Sequence, residues 1–283
     1  MLCSGNDAAV ALAEYVGGSV EGFAVLMNEK ANSLGLKNTH FVTPHGLDND
    51  EHYTTAYELA ILSNYALNNK VFSNIVGTKN YTVNINGYSK ALSNTNELLG
   101  NLNGVYGIKT GFTNGANRCL VTSCKRDNLD IICVVLGADT KKFRTSDSIK
   151  LINYCFTNYE VVNIKKLLDD KFNKWKENNS NYFSILKGNS NFVEISLEDL
   201  KTPNIPIKKN LIDKLDFIFD CKSYIEAPLF QNTVLGEAKV LLNDDIVVTT
   251  NILSNNSIEK KNIIDYFYSF MKNYPSYFSN LIY

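Results

Sequence analysis

An α/β (α+β) domain with helices packed on an antiparallel sheet, followed by a small all-β domain, is the fold class this sequence predicts. Three observations predict it. Capped, helix-period apolar patterns fill the chain as far as Ala66, and three apolar strand-like runs lie between Ile108 and Leu136. Beyond Val162 the texture turns charged and then into short β-like runs. At 283 residues the chain is long enough for two domains. The predicted division is 1–162 for the first, 163–256 for the β-rich second, and 257–283 for a terminal amphipathic helix.

Asp7 to Val16 is alanine-rich and reads as a helix, with Asp7 in its first turn. Ser19 caps a second helix. Its Val20, Phe23, Ala24, Met27, Ala31 and Leu34 follow the i, i+3, i+4 rhythm, and Gly35 stops it. A loop follows through Pro44 and the Gly46-Leu47-Asp48 turn. Thr55 and Glu58 form a capping-box pattern for a third helix through Leu59, Leu62 and Ala66. Tyr81, Val83 and Ile85 alternate with polar residues and meet Asn86-Gly87, a hairpin signal. Strands are expected at Ile108–Thr113, Cys119–Cys124 and Ile131–Leu136, with a turn at Arg126-Asp127-Asn128. A helix from about Thr145 to Tyr159 closes this part.

In the second part, Lys165–Ser180 is charged, with a helical stretch around Phe172 and Trp175. Short β-like runs follow at Phe192–Ile195, Phe217–Phe219, Ala238–Leu242 and Ile246–Thr250. In the tail, Ile263, Ile264, Phe267, Phe270, Met271, Tyr274, Phe278, Leu281 and Ile282 make an apolar face near Lys260, Lys261 and Lys272. That pattern suits a helix on a membrane surface, or one docked on its own domain or on a partner.

Composition excludes several classes. The 28 basic and 29 acidic residues leave a formal charge of −1, which argues against nucleic acid as a partner. No run approaches the ~20 apolar residues of a membrane span. Met1-Leu2-Cys3 leads into polar Ser4-Gly5-Asn6-Asp7 without a charged start or an apolar stretch, so no signal peptide is read here. The six cysteines include no Cys-x-x-Cys pair, and with three histidines no metal site or cofactor is expected. Cys119, Cys124 and Cys133 sit in apolar runs and read as buried free thiols.

Two triplets carry chemistry. Ser4-Gly5-Asn6 precedes a helix, and about a hundred residues later Lys109-Thr110-Gly111 opens an apolar strand. Each is weak alone. Together, in that order and context, they match the substrate-facing motifs of penicillin-recognising serine enzymes.

The chain resembles the low-molecular-weight penicillin-binding proteins, the serine-type D-alanyl-D-alanine carboxypeptidases. The resemblance rests on Ser4-Gly5-Asn6-Asp7-Ala8, Leu34-Gly35-Leu36-Lys37-Asn38-Thr39-His40-Phe41, His45-Gly46-Leu47-Asp48 and Gly107-Ile108-Lys109-Thr110-Gly111-Phe112-Thr113, in the family's order. It extends to Ala227-Pro228-Leu229, Gln231 and Gly236, which look like the family's C-terminal β domain. It implies a β-lactamase/transpeptidase-like fold and removal of the terminal D-alanine from peptidoglycan stem peptides through a serine acyl-enzyme, with β-lactams as inhibitors. It also implies site roles. Ser4 relays a proton toward the leaving amine, and Asn6 orients the substrate amide and the base. Lys109 and Thr110 meet the substrate carboxylate, Gly111 lets the backbone approach, and Phe112 gives its N–H to an oxyanion hole. Arg144 matches an arginine near the substrate's terminal carboxylate; a solvent-facing arginine at a helix start is the other reading. His45 reads as loop-stabilising, and His40 and His52 as structural or exposed. The tail corresponds to the family's membrane anchor, at the extracytoplasmic face of the membrane.

One block of the family pattern is not found: the Ser-x-x-Lys that holds nucleophile and base, expected ahead of Ser4. Ser184–Lys187, Ser257–Lys260 and Ser269–Lys272 fit the spacing, but all follow Lys109 and are read as chance. The expectation is an N-terminally truncated carboxypeptidase, inactive at this length, whose nucleophile block and export signal lie upstream. A non-catalytic wall- or membrane-binding product is the alternative. A β-lactamase is a weaker one, because it needs neither the β domain nor the aromatic tail.

Overall fold

A computed structural model of the chain describes residues 1–179, 184–190, 192–222 and 224–273. It divides into two compact units, Met1–Glu160 and Val161–Tyr283.

The first unit opens with α1 (Asn6–Gly17), stopped by Gly18 at φ 75°, and α2 (Val20–Ser33). Ser19 caps α2 as expected, its Oγ accepting from Gly22 N at 3.0 Å. In α3 (Ala56–Leu67) the expected capping box is half made. Thr55 Oγ1 accepts from Glu58 N at 3.1 Å, whereas the Glu58 carboxylate turns to the loop before it. There it accepts from Asn38 N at 2.9 Å and from Thr39 Oγ1 at 2.5 Å. Those bonds and the Asn38 side chain hold the Glu58 acid below its ordinary range although burial pushes the other way. Next come α4 (Lys70–Gly77), which the sequence reading missed, and the hairpin β1 (Asn80–Ile85) and β2 (Tyr88–Ser93). Asn86 and Gly87, at φ 48° and 81°, make its two-residue turn.

The sheet that bears the site has the antiparallel order β3 (Val105–Thr113), β4 (Asn117–Arg126), β5 (Leu129–Ala138), so β3 is an edge strand. Each strand outlasts its predicted span. α5 (Lys141–Asn158) also starts four residues earlier than its pattern implied, because Thr140 caps it through Phe143 N at 3.1 Å. Leu120, Cys124 and Cys133 of the sheet close against Ile152 of α5 and against Leu98. Under α4 the packing is tight: a Cβ at Gly107 would stand 2.9 Å from Ser123 Oγ and 3.1 Å from Val76 Cγ2, so glycine is required.

The second unit is built on the antiparallel order β10 (Leu215–Cys221), β12 (Val234–Leu242), β13 (Asp245–Ser254), β8 (Ile195–Leu197). Two further pairs complete it: β6 (Tyr159–Asn163) with β9 (Asn204–Lys208), and the parallel β7 (Ser184–Leu186) with β11 (Tyr224–Glu226). The charged stretch forms α6 (Ile164–Asn178), which buries Ile164, Leu168 and Phe172, while Phe172 stacks on Trp175 at 5.7 Å between centroids. Its polar residues face outward, which is why composition hid so long a helix. The run expected as a strand from Phe192 is extended only from Ile195. α7 (Ile263–Asn273) presents exposed Ile263, Ile264, Phe267 and Phe270. Tyr274, Phe278, Leu281 and Ile282 lie outside the described residues. Among the described residues no single helix is long and apolar enough to cross a membrane.

Candidate active site

A cavity of about 430 Å³ in the first unit is lined by Ser4, Asn6, Thr110, Gly111, Phe112 and Arg144, six of the seven residues that the sequence singles out. The other lining residues are Thr95, Arg118 and Lys141. Ser4 sits just before α1 in the left-handed region, at φ 56°, and Asn6 is the first residue of that helix. Thr110 to Phe112 lie on edge strand β3, which leaves that backbone free to pair with an extended ligand.

Thr95 is set from both sides. Its N–H donates to the Leu2 carbonyl at 3.1 Å, and its hydroxyl meets Thr110 Oγ1 at 2.7 Å. Two asparagines hold that loop. Asn94 Nδ2 donates to Val76 O and Thr78 O at 3.1 and 3.0 Å, and buried Asn96 donates to Gly107 O at 2.9 Å.

Arg144 is 4% exposed, so the solvent-facing reading of this residue is corrected. α5 starts early enough to place it inside the first turn and turn it inward. One terminal nitrogen donates to Glu97 Oε1 at 3.1 Å, and the buried Nε has no hydrogen-bond partner among the described residues. Glu97 also accepts from Lys141 Nζ at 2.6 Å and from the Thr145 hydroxyl.

Lys109 is not among the cavity's lining residues; its Nζ donates to the Thr110 carbonyl at 2.7 Å. Burial lowers its pKa, Arg144's positive charge lowers it further, and Cys3 opposes both. A lysine whose folded pKa lies below its unfolded one destabilises the fold while charged. The deficit is complete at neutral pH and disappears as pH rises toward the unfolded value. Lys109→Met should therefore raise the melting point at pH 7. Thermal melts at pH 7 and near pH 10 check this: the gain should shrink at the alkaline end.

The loop His45–Asp48 lies against the far end of β3. Asp48 Oδ2 accepts from Gly115 N at 3.1 Å, and His45 Nδ1 accepts from Leu47 N at 3.3 Å. His52 Nδ1 accepts from Val42 N at 3.1 Å. Burial, His40 and His45 lower its pKa, so its neutral form is favoured. The sequence reading missed Thr95, Glu97, Arg118 and Lys141. Only Lys141 carried a local signal, as the first residue after the capping Thr140.

Residues 1–140 match the family model for D-alanyl-D-alanine carboxypeptidase, and residues 174–260 match that for the penicillin-binding protein 5 C-terminal domain. The D-alanyl-D-alanine carboxypeptidase DacA of Haemophilus influenzae is 33% identical over 273 residues, 88% of this chain and 67% of that protein. The chain belongs to the peptidase S11 family of D-alanyl-D-alanine carboxypeptidases. Within that family it is 32% identical to DacF of Bacillus subtilis (strain 168) over 268 residues, 94% of this chain. It spans about two thirds of the curated relatives it matches, 66% of DacF and 64% of Escherichia coli DacA. Among solved structures, penicillin binding protein 5 from Haemophilus influenzae superposes with a TM-score of 0.67 at 28% identity, over 91% of this chain and 72% of that one. The Streptomyces K15 DD-transpeptidase gives 0.54 at 36% identity, over 56% and 64%. The K15 match covers about the length of the first unit.

Proposed function

We propose that these 283 residues are the greater part of a serine-type D-Ala-D-Ala carboxypeptidase that trims peptidoglycan stem peptides at the outer face of the cell membrane. One observation carries the reading. Ser4, Asn6, Arg144 and the free edge Thr110–Phe112 converge on one cavity.

In this reading a serine supplied from upstream of Ser4 attacks the carbonyl between the two D-alanines. The bond to the terminal D-alanine breaks as the acyl-enzyme forms, and water then releases the acyl group. Ser4 passes the serine's proton to the leaving amine, since a hydroxyl both accepts and donates. Asn6 orients the peptide amide. The Thr95 and Thr110 hydroxyls share one hydrogen bond, and with Thr95 as its donor the Thr110 O–H is left for the substrate carboxylate. Arg144, which lines the cavity, offers the same carboxylate its positive charge, and Lys109 adds to that charge from outside the lining. The Phe112 N–H serves the oxyanion, a kind of donor whose loss typically costs ~10²-fold or more. At Gly111 a Cβ would meet only Cys119 Cβ, at an ordinary 3.5 Å. The protein itself would tolerate a side chain there, so the space that glycine leaves belongs to the ligand.

The match of the second unit to the penicillin-binding protein 5 C-terminal domain favours a carboxypeptidase over a β-lactamase. The exposed apolar residues of α7, beside Lys260 and Lys261, support a membrane-surface role for the tail. The experiment is fluorescent-penicillin labelling of native membranes, probed in parallel with an antibody raised to this chain. The expected result is a labelled antibody band running above 31.7 kDa. An unlabelled band at 31.7 kDa would overturn the enzymatic reading in favour of a non-catalytic product.

A further inference from the structure

Arg118 stands outside every role assigned above, yet it lines the same cavity. It is the second residue of β4 and pairs in register with Phe112 of β3, so the two side chains share a face of the sheet, as does Thr110 two residues before Phe112. The Arg118 guanidinium lies over the Phe112 ring, 3.6 Å from its centroid. That contact has two consequences. It fixes a long side chain that would otherwise sample many rotamers. It also carries the charge one strand outward, from interior strand β4 across β3 toward the free edge.

The charges in this corner do not pair off. Among the described residues Lys141 and Arg144 share Glu97 as their ion-pair partner, and Lys109 and Arg118 make no ion pair. A C-terminal carboxylate held by Thr110 and Arg144 answers one of the remaining cations. Arg118 is held by a ring rather than by an anion. Its register position is two residues, about 7 Å, further along β3 than Thr110. In the proposed function the scissile carbonyl sits by the Phe112 N–H. The ligand thus runs from its terminal carboxylate at Thr110 toward Phe112, and its upstream residues pass beside Arg118.

We infer that Arg118 is a specificity residue reading a second carboxylate on the peptide, carried by a side chain upstream of the scissile bond. This rests on the carboxypeptidase reading and names the peptide class it selects: stem peptides whose residue before the D-Ala pair bears a free carboxylate beside its amine, over those bearing the amine alone. A planar guanidinium already stacked on an aromatic ring presents its outer N–H groups to a carboxylate as a two-pronged donor.

The test is equilibrium binding to the full 283-residue chain by calorimetry, with two synthetic peptides ending in D-Ala-D-Ala. One carries lysine before the D-Ala pair, and the other carries diaminopimelate with its extra carboxylate free. The expected ratio of dissociation constants is roughly tenfold in favour of the second, in the range for hydrogen bonds to charged groups on a partly exposed site. Arg118→Gln should bring the ratio to about one. Arg118→Lys should restore part of it, because charge returns without the planar stack. Each ratio is taken within one protein, so a general loss of affinity cannot imitate the effect. Equal binding of both peptides by the unaltered chain, or a preference that survives in Arg118→Gln, would overturn the inference and leave the carboxypeptidase reading in place. Failure of both peptides to bind at millimolar concentration would remove that reading and the inference with it.

Discussion

The purified 283-residue polypeptide should release no D-alanine from a D-Ala-D-Ala peptide above the buffer rate, and should take up no covalent label from fluorescent penicillin. The acyl-enzyme needs a hydroxyl with a base in contact, and the family supplies both from one Ser-x-x-Lys. No such block stands ahead of Ser4 in this sequence. The three later matches lie in the second unit. In the first of them Lys187 is drawn away to Glu226, at 2.7 Å. Ser4 is no substitute. Lys109, the lysine nearest in role, spends its Nζ on the Thr110 carbonyl, so Ser4 lacks an activated proton acceptor. Residues that act as one catalytic unit fail together, and loss of a nucleophile costs ~10⁶-fold in well-studied serine hydrolases. A coupled D-alanine assay and a gel scanned for fluorescence measure the two quantities. Label approaching one mole per mole of chain would show that a nucleophile is present among these 283 residues. Reversible peptide binding is expected to persist, because Thr110, Gly111 and Arg144 need no nucleophile to meet a carboxylate.

Much of the first unit was legible because its signals are local. Ser19 and Thr55 are caps followed by apolar periodicity, and Asn86-Gly87 admits few turns other than the one it makes. The Lys109 strand could be read because a triplet and an apolar run coincide. What stayed hidden depends on partners far away in sequence. Glu58 looks like the second half of a capping box, and its helical position fits one. Its carboxylate goes instead to Asn38 and Thr39, twenty and nineteen residues earlier, which no pattern in α3 announces. Arg144 is the sharper case. Its neighbours are polar, so a solvent-facing arginine was a fair alternative until α5 proved to begin at Lys141 and Glu97 proved to lie beneath it. Arg118 gave no signal at all, because its meaning comes from a cross-strand register with Phe112.

Glu97→Ala should cost unit 1 about 2–3 kcal/mol, the largest stability effect expected of any single change around the site. The reasoning runs through Arg144. A guanidinium that is 4% exposed keeps its charge, since arginine does not deprotonate, and Glu97 is its counter-ion at 3.1 Å. Removing one partner of a fully buried pair costs ~3–5 kcal/mol; the Glu97 side chain is 29% exposed, so water recovers part of that. Arg144 would be worse off than most, because its Nε already has no partner among the described residues. Lys141 would lose its ion-pair partner in the same step, and the Thr145 hydroxyl would keep only the Lys141 carbonyl as acceptor. The melting point should fall by roughly 5–10 °C, given the usual 2–4 °C per kcal/mol for a unit of this size. pH separates charge from packing. Burial pushes the Glu97 pKa up, but the bonds from Lys141 and Thr145 and the charges of Arg144 and Lys141 hold it below the ordinary value. A depressed carboxylate stabilises the fold above the unfolded pKa of about 4.3, and that contribution is lost as pH falls through the lower folded value. Urea unfolding of the parent should therefore lose stability below about pH 4.3 more steeply than Glu97→Gln, which keeps the shape and cannot ionise. Parallel acid limbs for the two proteins, or a loss under ~0.5 kcal/mol in Glu97→Ala, would mean that Arg144 finds its charge balance elsewhere. In that case Glu97 would be dispensable to the cavity, and the aim of Arg144 at a substrate carboxylate would have to come from the α5 backbone alone.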